Sequence, residues 1–217
     1  MSNHPFHDGE IAVQERAGER DIASRHGAGI GSRIVPGALP FLARQRLIAV
    51  SIAGDDGELW TSVWNGAPGF VHSDGQRVHI SMPMTAMSPD DPAGPRALAG
   101  RDIGMLAIEF ESRRRLRING TIVANSSDLV VVVRESVGNC PKYIQRRRSH
   151  DVASAEVFAA RGTRGQILDD EARELVMRAD TVLVGSLHPD RGVDTSHRGG
   201  SPGFIDIVDA STLRVPD

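Results

Sequence analysis

The sequence has a single cysteine, Cys140, among 217 residues. No disulfide can form within such a chain, which favours a reducing compartment. No uncharged apolar stretch is long enough to cross a bilayer, and the first thirty residues lack the basic start and apolar core of a signal peptide. We therefore predict a cytoplasmic protein that does not associate with a membrane.

An excess of basic residues is also missing, and aromatic residues are few. Lysine and arginine total 25 against 28 aspartates and glutamates, for a formal net charge of −3, and aromatic residues make up 4% of the chain. Nucleic-acid binders usually carry a basic excess and aromatic side chains that stack on bases. The eight histidines are dispersed, and the spacings Cys-x-x-Cys and His-x-x-x-His are absent. We therefore predict neither a nucleic-acid partner nor a metal site.

What the sequence does contain is an internal repeat with a constant offset of 134 residues. The segment Thr61–Phe70 (TSVWNGAPGF) is echoed by Thr195–Phe204 (TSHRGGSPGF), with six of ten positions identical. The same offset aligns two preceding pairs of segments, 41–44 with 175–178 and 48–50 with 182–184. We therefore predict a helix–strand–strand unit that occurs twice. Nothing later in the chain matches residues 84–145, so the second copy is expected to be truncated.

Apolar and alternating segments predict a mainly β protein with short helices, of the α+β class. The predicted strands cover residues 47–53, 58–64, 77–81, 103–110, 113–118 and 129–135. Because little helix lies between them, we expect an antiparallel barrel.

These patterns divide the chain into four parts. Residues 1–33 are polar and rich in glycine, which is typical of a flexible tail. We assign residues 34–146 to a first domain, 147–168 to a charged connector and 169–217 to the partial second copy. Asp169 is expected to cap the helix that opens this second copy.

Two dipeptides at equivalent positions predict hairpin turns. Asn65-Gly66 follows a predicted strand, and Gly199-Gly200 is its counterpart in the second copy. Both suit a turn with positive φ at two successive residues. At Asn119-Gly120, a hairpin turn and a bulge within one long strand fit the sequence equally well.

Arginines alternate with other residues in the segment 113–118. If this segment is a strand, Arg113, Arg115 and Arg117 project from one face at intervals of about 6–7 Å. Guanidinium groups at that spacing suit a phosphate or carboxylate, which they bind by charge-assisted and often bidentate hydrogen bonds. A solvated edge strand protected by its charge is an equal alternative.

Two further segments concentrate hydrogen-bonding groups. The segment 138–145 (GNCPKYIQ) holds the only tyrosine and the only cysteine of the chain, and functional residues favour loops on rigid scaffolds. No histidine with a supporting carboxylate lies near Cys140 in sequence, which favours a buried, inert thiol over a nucleophile. The segment 195–200 offers a hydroxyl, an imidazole and a guanidinium at a turn whose glycines let an anion approach the backbone. An ordinary hairpin that faces solvent is the alternative there.

Three ordered motifs together resemble the FMN-binding split-barrel proteins related to pyridoxamine 5′-phosphate oxidase. The similar subgroup carries an Arg-Arg-Arg-Leu-Arg-x-Asn-Gly strand, a Gly-Asn-Cys-Pro-Lys-Tyr-Ile-Gln loop and an Asp-x-Ser-His-Arg-Gly-Gly-x-Pro-Gly-Phe hairpin. These motifs stand here at 113–120, 138–145 and 194–204, and the resemblance extends over residues 36–209.

The resemblance implies an antiparallel split β-barrel followed by a truncated second copy of the same unit. It also implies that FMN binds where two barrels meet, between subunits of a homodimer or between tandem repeats. The implied activity is an FMN-dependent oxidoreductase that acts on an unknown small substrate or electron donor; a non-catalytic flavin-binding or sensor module is the alternative. The substrate-binding motifs of true pyridoxamine phosphate oxidases are not found, so that specific activity is not expected.

The resemblance also implies which residues bind the flavin. Arg115 and Arg117 would hold its phosphate, with a hydroxyl from Ser62 or Ser81, and the ring would lie along the strand 60–62. The other expected contacts come from the later loop and hairpin. The full predicted set is Trp60, Thr61, Ser62, Ser81, Arg115, Arg117, Lys142, Gln145, Ser196, His197 and Arg198. No catalytic residue is predicted, because the cofactor itself carries out the redox step.

Overall fold

A computed structural model describes residues 5–81, 90–126, 128–148 and 165–216. The helices are α1 (Asp8–Arg16), α2 (Arg20–Gly27), α3 (Leu39–Ala43) and α4 (Asp170–Arg178), with 3₁₀ turns at Pro36–Ala38 and Gly94–Arg96. The strands are β1 (Leu47–Ala53), β2 (Leu59–Asn65), β3 (Val71–Ser73), β4 (Arg77–Ile80), β5 (Asp102–Glu109), β6 (Arg114–Asn125), β7 (Leu129–Asn139), β8 (Thr181–His188), β9 (Gly192–Gly199), β10 (Asp206–Ile207) and β11 (Leu213–Arg214).

Seven of these strands form one antiparallel sheet in the order β2-β1-β5-β6-β7-β4-β3. β8 pairs with β9, and β10 with β11, in two separate antiparallel ribbons. The prediction of a mainly antiparallel β protein with a few short helices is therefore confirmed. The six predicted strands correspond to β1, β2, β4, β5, β6 and β7, and the last two are longer than predicted.

β6 is longer because the chain does not turn at Asn119-Gly120. The pairing with β7 instead shifts its register between these two residues, so the bulge is the correct alternative. A Cβ on Gly120 would lie 2.3 Å from the carbonyl oxygen of Val132, so the close approach of β7 requires glycine here. Arg113 precedes the strand with a φ of 55°. It therefore does not belong to the row formed by Arg115 and Arg117, which corrects the three-arginine prediction.

The large sheet has two buried faces. Ile48, Val50 and Ile52 point to one side, where they form the main core with residues such as Met105 and Ile118. We call this side the core face. The alternate positions of β1, β5 and β6 point to the opposite side, which we call the outer face. The ribbon β8–β9 covers this outer face, with β8 against β1 and β2, and β9 against β5 and β6.

The ribbon β8–β9 repeats the pairing of β1–β2 at the offset of 134 residues. Ser51 lies opposite Thr61 in the first hairpin, and Gly185 lies opposite Thr195 in the second. The turn after each hairpin is also shared, because the N–H of Gly66 donates to the carbonyl of Arg46 and that of Gly200 donates to the carbonyl of Asp180. The two segments therefore have the same local geometry as well as similar sequences.

The predicted conformation of these turns is wrong. Positive φ does not fall on Asn65-Gly66 or on Gly199-Gly200 but on Gly69 and Gly203, at 94° and 86°. The reason is that the chain does not fold back at these dipeptides into the next strand of the same hairpin. It leaves the strand there and makes a separate turn that brings the following phenylalanine back against Gly66 or Gly200.

The N-terminal segment is also more ordered than predicted. Instead of a flexible tail over residues 1–33, the structure forms α1 and α2, and Gly31 exchanges two backbone hydrogen bonds with Ser136 of β7. His7 caps α1 by accepting from the N–H groups of Gly9 and Glu10, while the Glu10 carboxylate accepts from the His7 N–H. Both helices are polar and bury no residue other than Gly27, which is why apolar periodicity did not reveal them.

The helix α4 begins as expected after Asp169, whose carboxylate accepts from the Ala172 N–H and caps the helix. The predicted connector over residues 147–168 lies mostly outside the described residues. None of the helices in the described ranges is both long and apolar enough to cross a membrane.

Candidate functional site

A line of buried hydroxyl groups fixes β9 to the outer face. The Thr195 side chain is fully buried, and its Oγ1 lies 2.7 Å from Ser51 Oγ and 2.8 Å from the Gly104 carbonyl oxygen. Ser51 Oγ lies 2.8 Å from Thr61 Oγ1. Thr195 is the donor in both contacts, so its single proton is shared between Ser51 Oγ and the Gly104 carbonyl oxygen. Either Ser51 or Thr61 can donate in the third contact, which extends the line of hydroxyl groups to the first hairpin.

The packing of the two hairpins is reciprocal. Thr195 of the second copy contacts Ser51, and the equivalent Thr61 of the first copy faces Gly185, where an added Cβ would lie 2.7 Å from Thr61 Oγ1. A contact that recurs with the two copies exchanged is the pattern of a two-fold axis. The glycine is required because the Ser51 side chain already fills the space near this axis.

A cluster of arginines lies beside this seam, where β6 faces β9. Arg117 Nη1 lies 3.2 Å from Asp194 Oδ2 in an ion pair. Arg115 Nη1 lies 3.3 Å from His197 Nδ1. The period-two geometry of β6 thus brings both arginines to the outer face, and β9 supplies a partner for each.

Arg115 is a half-buried cation without an ion pair among the described residues. Burial lowers its pKa, and the nearby charges of Arg117 and Arg198 lower it further, whereas the Cys140 sulfur raises it. The guanidinium nevertheless keeps its charge at neutral pH. Cys140 itself is exposed, so the prediction of a buried thiol is wrong.

His197 is neutral at physiological pH. The residue is 4% exposed, and burial, followed by the charges of Arg115 and Arg198, lowers its pKa to about 4 against the opposing effect of Asp180. Because a guanidinium only donates, Nδ1 of His197 is the acceptor and its proton lies on Nε2. That Nε2 and the Nε of Arg115 are both buried donors without a hydrogen-bond partner among the described residues. The cluster therefore contains two unsatisfied N–H groups next to positive charge.

The loop after β7 docks beside the cluster. Ile144 is 4% exposed and packs on Ala49, Leu106 and Ile108 of the outer face. Lys142 is exposed over the ring of Tyr143, 4.9 Å from its centroid, and Gln145 is half-buried. The anchor that places this loop is thus an apolar residue that the sequence analysis did not select.

The structure brings together only part of the predicted site. Thr61, Arg115, Arg117, His197 and Arg198 lie along the interface between the outer face and β9. Ser196 is tied to Arg198, whose Nη1 lies 3.3 Å from Ser196 Oγ.

Three predicted residues lie elsewhere. Ser62 and Trp60 point to the core face, opposite Val50 and Ile52. Ser62 donates to the Asp91 carboxylate, and Trp60 Nε1 donates to Glu58 at 3.0 Å. Ser81 is exposed just after β4. Their side chains do not reach the arginine cluster, because period-two alternation separates them from Thr61.

The sequence analysis missed the two residues of β9 and β6 that complete the interface. Asp194 is the ion-pair partner of Arg117, and Asn119 continues the outer-face row of Arg115 and Arg117. The sequence did mark Asp194 as different, because it precedes the threonine that the two similar segments share and stands where the first segment has Trp60. Which partner it would meet could not be read from the repeat alone.

Comparisons with known proteins give distant structural matches only. No protein-family model matches the sequence, and no curated protein is similar to it. A solved F420 reductase is 12% identical with a TM-score of 0.32, over 48% of this chain and 98% of its own. A HupZ variant from Group A Streptococcus is 11% identical with a TM-score of 0.36, over 49% and 99%. A candidate pyridoxamine 5′-phosphate oxidase from Lactobacillus delbrueckii is 12% identical with a TM-score of 0.36, over 51% and 96%. Similarity this remote carries no weight for function, which has to be inferred from the site.

Proposed function

We propose that this chain is an FMN-binding split-barrel protein whose cofactor phosphate binds between β6 and β9. The observation that carries the proposal is the pair of buried, unsatisfied donors, Arg115 Nε and His197 Nε2. Leaving a buried donor unpaired costs about 1–3 kcal/mol, so the site favours a ligand that brings acceptors. A phosphate group has acceptor oxygens and the negative charge that this cluster lacks.

The charges around the donors fit the same ligand. Arg115 has no carboxylate among the described contacts, and Arg198 is near enough to lower its pKa. Arg117 shares its charge with Asp194, so the local balance stays positive. Arg115 and His197 would hold the phosphate, and Arg117 and Arg198 would add charge. The flavin would supply the hydride or electron transfer, while these residues bind and orient it and exclude water from its phosphate.

The proposal also assigns a role to the hairpin β8–β9. In this proposal β8–β9 is the truncated second repeat, and it takes the place that a partner barrel's hairpin would occupy. The reciprocal contacts of Thr61 and Thr195 support this, because they have the form of a two-fold interface. A homodimer, a small-molecule electron donor and a cytoplasmic location complete the proposal.

A flavin-binding module without turnover is the second candidate. It is favoured by the protonation states of the cluster, since a neutral His197 and a permanently charged Arg115 are binding groups at pH 7 and not proton carriers. Reduction of the bound flavin by NAD(P)H, followed by reoxidation in air, would support the oxidoreductase. A bound flavin that no physiological donor reduces would support the module.

The proposal is tested by measuring FMN affinity for the full chain and two variants. Arg115→Ala removes a cluster donor, and Arg114→Ala removes the neighbouring arginine that points to the other face and lies over Phe41. We expect Arg115→Ala to weaken FMN binding by roughly 10–100-fold, as the loss of a charged hydrogen bond predicts. The Arg114→Ala control should retain nearly full affinity. Equal losses in both variants, or a wild-type chain that cannot be loaded with FMN, would contradict the proposal.

A further inference from the structure

A separate cavity of about 290 Å³ lies between the N-terminal segment and the end of the β8–β9 ribbon. Phe6, Ile30 and Leu187 form apolar parts of its wall, and Asn119 and Asp194 are among its polar residues. The predicted flavin contacts do not include these five residues. The cavity could therefore hold a ligand other than the flavin phosphate.

Two side chains in the polar lining of this cavity carry buried acceptor atoms that no described residue satisfies. Asn119 is 7% exposed, and its Oδ1 is buried without a hydrogen-bond partner in the described part of the chain. The same holds for Asp194 Oδ1, while Asp194 Oδ2 is the atom nearest Arg117. Two buried acceptors on neighbouring strands thus line one small space. This is the opposite of the phosphate cluster, whose unsatisfied atoms are donors.

The arginines that line the cavity are already used by other groups. Arg117 pairs with Asp194, and Arg191 donates to the Glu135 carboxylate and, at 2.8 Å, to the Pro5 carbonyl. Glu10 brings a third carboxylate to the lining. Three carboxylates therefore face two guanidinium groups, and the lining keeps a negative charge. Such a lining disfavours an anion and favours a cation that donates hydrogen bonds.

We propose that this cavity binds a small organic cation with a primary ammonium group and a short apolar body. The ammonium group would donate to Asn119 Oδ1 and Asp194 Oδ1, and the apolar body would lie against Phe6, Ile30 and Leu187. The volume fits a ligand near the small end of the usual range for pockets, which begins at about 300 Å³. The binding of this cation does not require flavin, so it is tested independently of the proposed function.

The test uses the full chain and follows its thermal unfolding in the presence of n-butylammonium chloride. Potassium chloride of the same ionic strength controls for screening, and 1-butanol is the neutral ligand of similar shape. We expect n-butylammonium to raise the melting temperature in a saturable way, as a ligand of the folded state does. At the same concentration 1-butanol and butyrate should have no saturable effect. Equal shifts from butanol and butylammonium would overturn the proposal.

Variants at Asn119 place the effect in this cavity. Asn119→Leu keeps the volume but removes the acceptor, and we expect the affinity for n-butylammonium to fall about tenfold. Asn119→Asp keeps an acceptor and adds charge, so we expect tighter binding. Asn65→Leu, at an exposed position of β2, is the matched control and should not change the affinity. If Asn119→Leu does not fold, unchanged binding in Asn119→Asp still overturns the proposal. A crystal structure that shows only water in the cavity at saturating ligand would overturn it as well.

Discussion

The hairpins β1–β2 and β8–β9 share one register and one turn, but the protein holds them in different ways. β1 pairs with β2 on one side and β5 on the other, and its five central residues are buried. The ribbon β8–β9 pairs with no other strand in the described part of the chain and is held by side-chain contacts. The helices before them differ likewise, since Phe41 is 5% exposed and its equivalent Leu175 is 71% exposed.

The two hairpins share their backbone register and turn but differ in the side chains that they bring to the interface. Register and turn are shared because the Thr-Ser, Gly and Pro-Gly-Phe positions are shared. The chemistry differs because Trp60 and Val63 of the first copy have Asp194 and His197 as their equivalents in the second. The second hairpin therefore supplies two partners of the arginine cluster that the first hairpin lacks. Substitutions that restore first-copy residues, or that disturb the docking of β9, test this difference directly.

The largest expected effect is on the pH dependence of stability, after His197→Val. The pKa of His197 is lowered to about 4 in the folded chain, against a reference value near 6.5 when unfolded. The resulting stabilisation is complete above about pH 6.5 and is lost as the pH falls towards 4, because only the unfolded chain takes up the proton. Its size is about 3 kcal/mol, because a difference of one in pKa between the two states corresponds to about 1.4 kcal/mol.

Urea unfolding of the wild type and His197→Val measures this effect at a series of pH values between about 4 and 7. This range spans the pKa values of His197 in the folded and unfolded chains. We expect the wild-type free energy of unfolding to fall more steeply on acidification than that of His197→Val. The valine is the residue that the first hairpin carries at the equivalent position, so it is compatible with the strand. Parallel pH curves for the two proteins would show that His197 is not a buried neutral histidine.

A smaller effect is expected from Gly104→Ala, which opposes the docking of the second hairpin. An added Cβ would lie 2.6–2.7 Å from the backbone of Asp194 and Thr195. Such overpacking costs about 1–3 kcal/mol, and we expect about 2 kcal/mol by urea unfolding. Gly138→Ala on β7 is the control, because its Cβ would have nothing within 4 Å. A loss in Gly138→Ala as large as that in Gly104→Ala would show that strand propensity, and not the ribbon, sets the cost.

Most of the sheet could be predicted from the sequence because its strands carry local signals. β1 matches its predicted bounds because its apolar run begins after the polar residues 44–46 and ends at the turn residues 54–57. β6 is longer than predicted, because the chain continues through Gly120 instead of turning there. This continuation depends on the close approach of β7 and the bulge in their pairing, which the sequence of β6 alone does not show. The helices α1 and α2 were missed because they are polar and bury almost no side chain, so apolar periodicity does not mark them.

The candidate site could be predicted only along single strands. Period-two alternation placed Arg115 and Arg117 together, and the structure keeps them together. The same alternation places the side chains of Ser62 and Thr61 on opposite faces of the sheet. The prediction nevertheless assigned both to one site, because it followed the family resemblance. The partners Asp194 and His197 depend on how the ribbon docks, which no local pattern determines.

The smallest expected effect distinguishes two equivalent threonines. Thr195→Val removes a fully buried hydroxyl that donates to the Gly104 carbonyl, and we expect a loss of about 1.5 kcal/mol. Thr61→Val removes only the outer end of the hydroxyl chain, where the side chain is half-buried, and should cost about 0.5 kcal/mol. Urea unfolding of both variants measures the difference. Equal losses would mean that the two hairpins contribute equally to their interface. The difference between β1–β2 and β8–β9 would then lie in the arginine cluster alone.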